Sequence, residues 1–519
     1  MRAPGTDDTA SAPRRPDGAA AQHIRATGAR LAVIGGGGFR VPLVYRALSG
    51  PRYAGLITDL ALYDPDPERL QAIRRVLETM PGLKNPPRLQ LCTALEQALT
   101  GADVVFAAIR PGSTAGRIVD EKVALDLGLL GQETTGAGGI SYALRSIPQM
   151  LAVAHAMTRI CPGAWLVNFT NPAGMVTQAL EPVLGPRVLG ICDSPIGLVR
   201  RAGGAAGFSL SGGPEAGRSP GSGSKGSGSK ESGGTLTGGT LTGVDYVGLN
   251  HMGWLRGLTR DGKDYLPALL AHPGKLAGFE EGRLFGADLL RLLGCIPNEY
   301  LFYYYRRRQA LAGILAAGQT RGESIDRAQA LLYPQLAAAG PEAFGLWDAA
   351  RTAREEGYLA EARNVSGTSD ASGASATGDT SGATTHRDTK DLAGGGYEQV
   401  ALDAMHALLT GTPAELILNV RNDGAVAALP DDAIIEVPAR VDGGGARPLT
   451  QSTPDLHQLG LMLTLKAVET AVVQASTEGS RDAALRAFTL HPLVDGAELA
   501  RALLDGYERA FPALGRMWR

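Results

Sequence analysis

The sequence predicts an α/β protein, with a doubly wound parallel sheet in its N-terminal part and a mixed α+β part after it. Three observations carry that expectation. Short apolar runs alternate with helix-like stretches from Leu31 to Ile191, the pattern of βαβ units. The first run ends in four consecutive glycines, immediately before a helix-like stretch. Beyond Leu249 helical patterns prevail, interrupted by a few strand-like runs.

The elements follow in order. Residues 31–34 (LAVI) read as a first strand, closed by Gly35, Gly36, Gly37 and Gly38, and residues 41–48 as the helix behind it. Residues 60–63 form a second apolar run ending at Asp64, followed by a helix over 67–78. A strand over 88–92, a helix over 95–99 and strands over 102–109, 164–168 and 188–191 continue the series. In the second part, helices are expected over 286–293, 327–338, 397–409 and 456–476, with strands over 415–420 and 434–437.

At 519 residues, 44% of them apolar, the chain has material for two or three domains. We place a flexible tail at 1–29, a nucleotide-binding domain at 30–195 and an α+β catalytic domain at 196–519. Two tracts inside the latter, 211–243 and 364–396, are expected to be flexible surface insertions. The first holds 12 glycines and 7 serines in 33 positions, too little apolar surface to offset its ordering entropy. Lys plus Arg number 50 and Asp plus Glu 52, a balance that argues against a whole-chain nucleic-acid binder. No run of 18 apolar residues suggests a membrane span, and the first 30 residues hold no apolar leader core. Four scattered cysteines, at 92, 161, 192 and 295, make no disulfide scaffold and suit a reducing cytoplasm.

Chemistry could reside at four places. A glycine turn between strand and helix lets backbone approach a pyrophosphate, and Asp64 stands where a carboxylate can bind ribose hydroxyls. The third glycine of the G-x-G-x-x-G pattern is absent, because Arg40 or Val41 falls in its place. The stretch 131–139 (GQETTGAGG), with its carboxylate Glu133, reads either as a ligand loop or as a connection to the helical stretch 148–157. Asn168 and Asn171 lie just past a strand, where ligands gather in open α/β sheets, and either contact a ligand or cap the next helix. Cys192 with Asp193, and Asn250 with His251, follow two further strand-like runs. A thiolate and an imidazole suit a divalent transition metal. Taken singly, each is more often a buried structural residue. Finally, 296–305 (IPNEYLFYYY) holds four tyrosines, a packing cluster or a source of a phenolic base.

In chain order, the glycine turn, IRPGSTAGR from Ile109, GQETTGAGG with SYALRSIP, NFTNPAG, GICDSPIG, VGLNHMGW, IPNEYLFYYY and AELILNVRNDGAVAALPDDAIIEVPARV resemble one family throughout. That family is glycoside hydrolase family 4, the NAD-dependent phosphoglycosidases, and the resemblance spans residues 30–210 and 244–519. IPNEYLFYYY and ICDSPIG are most similar to its 6-phospho-β-glucosidase branch.

The resemblance implies a Rossmann-like N-terminal domain and a mechanism outside the usual two-carboxylate geometries. NAD+ takes a hydride from C3 of the sugar, a base removes the acidified C2 proton, the C1 group leaves, water adds and the hydride returns. A divalent metal, typically Mn2+, acts as Lewis acid on the C2 and C3 oxygens. By motif, Gly35, Gly36, Gly37, Gly38, Phe39 and Asp64 fall to the cofactor, and Cys192 and His251 to the metal. Tyr300 matches the C2 base. Asp193 takes a catalytic position where some members carry an acid and many β-specific ones Asn. Arg110, Asn171 and Arg321 match the 6-phosphate site, and Glu133 the sugar site. The implied substrate is a phosphorylated disaccharide or an aryl or alkyl glucoside, and the implied assembly a homodimer or homotetramer. The rival readings are a 6-phospho-α-glucosidase or other member of the family, a dehydrogenase of malate or lactate type, and a non-catalytic sensor of NAD or sugar phosphate.

Overall fold

The computed structural model describes residues 28–209, 239–357 and 396–518. Six strands, β1 (Ala29–Ile34), β2 (Ile57–Tyr63), β3 (Arg88–Cys92), β4 (Val104–Ala107), β5 (Trp165–Asn168) and β6 (Val188–Gly190), pair in parallel in the order β3-β2-β1-β4-β5-β6. The sheet is covered on both faces, which explains why its strands are continuous apolar runs. Leu31, Val33, Val104 and Phe106 enter one core, whereas Ala32, Ile34, Val105 and Ala107 enter the other, as the two-residue strand period requires. Strand order reverses between β1 and β4, so a crevice opens at their carboxyl ends beside the glycine turn.

The second part does not stand apart from this sheet. A short ladder joins β7 (Phe208–Ser209) to β8 (Gly239–Thr240). Then β9 (Gly243–Leu249), β10 (Met252–Arg260), β11 (Lys263–Asp264), β12 (Ile296–Pro297), β13 (Ala414–Arg421), β14 (Ile434–Asp442) and β15 (Gly445–Pro448) extend the parallel sheet with antiparallel strands. The junction is Asn419 of β13 opposite Gly190 of β6, and the result is one 13-stranded sheet.

The predicted strands and helices are present, and several further elements join them. Helices Ser113–Asp126, Ser194–Ala206, Arg481–Leu490 and Ala497–Ala510 were not expected, and β10 extends VGLN into a hairpin. Helix Ala137–Ile160 begins inside the 131–139 stretch and runs through Pro148. Gly138 lies in its first turn, where a Cβ would collide with the Gln132 carbonyl, so the glycine there serves close packing of the preceding loop.

The expected tail overlaps β1 at Ala29. Of the expected insertion 211–243, residues 211–238 lie outside the described residues, while 239–243 supply β8 and the start of β9. The insertion 364–396 lies outside them too, except Gly396 at the start of helix Tyr397–Thr410. Helix Leu456–Glu478 is long and apolar enough to cross a bilayer, yet its Met462, Val468 and Val472 are fully buried in the fold.

Three side chains from the second part grip the glycine turn. Tyr333 Oη donates to the Gly37 carbonyl at 2.8 Å, Trp347 Nε1 to that of Phe39 at 2.8 Å, and Tyr397 Oη to that of Arg40 at 2.7 Å. Each satisfies a backbone oxygen that burial would otherwise leave costly.

Candidate functional site

A cavity of about 1180 Å³ occupies the carboxyl end of the parallel strands, and it gathers candidates from all four sequence regions. On one side stands the glycine turn. The Gly35 and Gly36 amides donate to the Tyr63 carbonyl at 2.9 and 2.7 Å, which seats the turn on the end of β2. A Cβ on Gly36 would lie 2.7 Å from Leu62 Cβ, so only glycine fits there. Gly35, Gly38, Phe39 and Asp64 line the cavity, whereas Gly36 and Gly37 form the packed underside of the turn. Asp64 accepts from the Gly37 amide and the Asp66 amide, both at 3.1 Å. A carboxylate has about four acceptor sites, so capacity for a diol remains.

Opposite lies a basic lobe. Glu133 is ion-paired to Arg110 and, at 2.6 Å, to Arg117. Burial alone would raise the Glu133 carboxyl, but the Arg110 and Arg117 guanidiniums hold it below the usual carboxylate range. Arg110 lies over the Tyr142 ring at 4.3 Å, and its Nη1 has no hydrogen-bond partner among the described residues. The buried Oδ1 of Asn171 is likewise unpartnered among them. Asn168, by contrast, is structural: its amide serves Thr170, Ala173 and Thr177. Arg321 opens helix Arg321–Ala338, whose start is fixed by the Thr320–Glu323 capping box and by Glu121, which accepts from the Gly322 amide at 2.8 Å.

Between the two lie Cys192, His251 and Tyr300. Cys192 follows β6 and is 4% exposed; burial, then the nearby Glu436 and Asp193 carboxylates, push its thiol well above the ordinary value. His251 sits at the tip of the β9–β10 hairpin, 7% exposed, at φ 62°. A non-glycine residue there costs on the order of 1–3 kcal/mol, a strain concentrated at functional sites. Burial pushes its imidazole down to about 4, so the ring is neutral at physiological pH, and Nδ1 has no partner among the described residues. Tyr300, held by its amide on Asn298 Oδ1 at 3.1 Å, stacks on His251 with centroids 4.0 Å apart.

Two family models match this chain. The family 4 glycosyl hydrolase model matches residues 30–203, and the model of that family's C-terminal domain matches 246–494. The chain belongs to glycosyl hydrolase family 4. Among curated members, the probable 6-phospho-beta-glucosidase of Bacillus subtilis is 27% identical over 488 residues, covering 92% of this chain and 95% of its own. The 6-phospho-alpha-glucosidase of Leptotrichia buccalis is 28% identical over 495 residues, covering 92% and 96%. The structure of the Thermotoga maritima 6-phospho-beta glucosidase, solved with manganese, NAD+ and glucose-6-phosphate, superposes with a TM-score of 0.70 at 23% identity, covering 93% of this chain and 99% of that one.

The donor set of this family 4 chain fits a divalent metal. A thiol, an imidazole with an unpartnered nitrogen and an unpartnered amide oxygen line one cavity, although among the described residues no three His, Cys, Asp or Glu side chains stand close enough together to hold a metal by themselves. The glycine turn beside Asp64 likewise fits a dinucleotide. Asp193 lies 3.7 Å from Arg40, a half-exposed pair of small energetic worth.

The sequence did not single out Arg40, Arg117 or Arg354. Arg354 lines the cavity from helix Ala343–Glu356, and burial with neighbouring Arg40, Arg117 and Arg321 pushes its guanidinium down to about 9. The cavity lining as a whole holds as many carboxylates as guanidiniums, so the crowding of positive charge is local to Arg354 and its arginine neighbours. Arg117 was within reach of sequence reasoning, because it closes the IRPGSTAGR segment that Arg110 opens. Arg354 lies in no motif.

Proposed function

We propose that this chain hydrolyses 6-phosphorylated glucosides, with β-glucosides the preferred substrates, using NAD+ and a divalent metal, Mn2+ by preference. The observation that carries the reading is the convergence of Cys192, His251 and Tyr300 with Arg110, Asn171 and Arg321 in one cavity bordered by the glycine turn. Bound cofactor and metal would supply a hydride acceptor for C3 and a Lewis acid for the sugar oxygens.

The remaining work falls to this chain's residues. The turn at Gly35 and Gly38, with Phe39 beside it, receives the dinucleotide, and Asp64 accepts from its ribose. Cys192, as thiolate, and neutral His251 hold the metal. Arg110, Asn171 and Arg321 bind and orient the 6-phosphate, and Glu133 fixes Arg110 while facing the sugar. Tyr300, in its phenolate form, takes the C2 proton on its oxygen. The surrounding burial excludes water, which strengthens every charge interaction inside. Four buried, free cysteines suit a reducing cytoplasm.

A second reading, the α-glucoside, is favoured by the acid at Asp193. Release of nitrophenol from 6-phosphorylated aryl β- and α-glucosides, each with and without NAD+ and Mn2+, tests both. Turnover of the β-substrate only with both cofactors supports the first reading, and turnover of the α-substrate alone replaces it with the second. Full turnover by metal-stripped protein without NAD+ overturns both.

A further inference from the structure

Third in β14 stands a carboxylate that the chemistry above does not use. Glu436 is 0% exposed, and no cation pairs with it among the described residues. Three neutral donors converge on it: Asn419 Nδ2 at 2.9 Å, Tyr246 Oη at 3.1 Å and Asn250 Nδ2 at 3.3 Å. An unpaired carboxyl in a protein core is costly, so its presence calls for a reason beyond packing.

The partners of Glu436 supply one. Asn250 is the neighbour of His251 at the hairpin tip, and its Oδ1 accepts from the Ala173 amide at 2.9 Å. Ala173 belongs to the NPAG segment that carries Asn171. Asn419 stands opposite both Glu436 in β14 and Gly190 in β6, two residues before Cys192. A Cβ on Gly190 would lie 2.9 Å from Asn419 Cβ, so the two strands meet as closely as glycine allows. One carboxyl group thus connects the segments bearing Asn171, Cys192 and His251. Both asparagine amides donate to Oε1 and the Tyr246 phenol to Oε2, so a single oxygen ties the hairpin tip to β13.

We propose that Glu436 is a positioning residue that sets the separation of Cys192 and His251, and so the affinity of the metal site, through Asn250 and Asn419. The inference rests on the metal reading given above. In metal sites, groups that orient the ligands typically contribute 10–100-fold to affinity.

Metal-free full-length protein is titrated with Mn2+ by calorimetry, and with Co2+ while the thiolate-to-metal absorption is recorded, without substrate. Glu436→Leu, which removes both oxygens at similar size, is expected to lower affinity by about 10–100-fold and shift the Co2+ spectrum, with NAD+ affinity unchanged. Asn250→Ala, which cuts the same link one residue along, should do likewise and serves if Glu436→Leu does not fold. Tyr246→Phe keeps the ring and leaves the Glu436–Asn250 and Glu436–Asn419 hydrogen bonds in place, and should bind Mn2+ nearly as the native protein does. Native affinity in a folded Glu436→Leu or Asn250→Ala protein overturns the proposal while leaving the metal site intact. Equal losses in Tyr246→Phe overturn it as well, since general loosening of the cluster would then explain all three. If the native protein binds neither ion, the metal reading falls, and this inference with it.

Discussion

The imidazole of His251 and the phenol of Tyr300 stack with centroids 4.0 Å apart and planes 18° from parallel. Tyr300→Phe keeps that stack and removes only the oxygen. The variant should fold, bind Mn2+ as the native protein does and lose roughly 10²–10⁴-fold in kcat. Exchange of the C2 hydrogen with solvent deuterium should fall with kcat, while exchange of hydride with NAD+ persists. Tyr304→Phe is the control and should be nearly silent. Native C2 exchange in Tyr300→Phe removes this phenol from the chemistry.

Cys192 and His251 titrate in opposite senses, which fixes how metal binding depends on pH. The buried Cys192 thiol is held above its ordinary value and carries its proton in the metal-free protein, whereas His251, pushed down to about 4, is already neutral above pH ~5. If Cys192 and His251 hold the metal as proposed, binding displaces one proton, and affinity should rise up to about tenfold per pH unit between pH 6 and 8. Calorimetry in two buffers of different ionisation enthalpy measures the proton count. Release of no proton would show that the thiol is not a ligand. Cys192→Ser should abolish the dependence and weaken Mn2+ binding.

Glu133 neutralises two guanidiniums in a buried lobe, so its removal acts on stability as well as on substrate. Glu133→Ala leaves Arg110 and Arg117 without that carboxylate. A buried pair broken on one side costs about 3–5 kcal/mol, to be read from urea unfolding. The half-exposed pair Arg74–Glu78, at 2.6 Å, provides the comparison. Glu78→Ala should leave the urea midpoint near native, and a similar midpoint for Glu133→Ala would show that the lobe is solvated.

His491 gives a pH signature of its own. Burial, then the nearby Arg307, push its imidazole down to about 3, and its Nδ1 accepts from the Leu493 amide at 3.1 Å. Because the folded value is lowered, the unfolded chain takes up the proton first as pH falls. Stability is fully present above about pH 6.5 and is lost toward pH 3, by up to ~1.4 kcal/mol per unit from this group. His491→Asn should flatten that slope in urea titrations between pH 6.5 and 4. An unchanged slope assigns the acid sensitivity to other groups.

The parallel sheet was legible because strands covered on both faces must be apolar, as in LAVI and VVFA. Helix Ser113–Asp126 was not, because its buried residues include Asp120 and Glu121, paired to Arg145 and Arg117, which leave no apolar period to read. Helix Ala137–Ile160 hid behind Gly138, Gly139 and Pro148, which read locally as breakers. At the site, the motifs supplied the candidate residues that line one cavity, since their chemistry fixes the residue types. The groups that hold them came through pairings distant in sequence. Asn419 meets Gly190 and Glu436 meets Asn250 across strands, and no local pattern encodes such contacts.

The joining of β6 to β13 has a consequence for the order of synthesis. Residues 414–442 stand in the sheet between β6 and β9, strands that a ribosome delivers far earlier. While the chain is growing, the seat between the segments bearing Cys192 and His251 is vacant, and the edge of β6 lacks its neighbour. Long-range pairing of this kind is slow and exposes strand edges to wrong partners. A chain still lacking β13 and β14 would carry Cys192, His251 and Tyr300 without the two strands that stand between the segments bearing them.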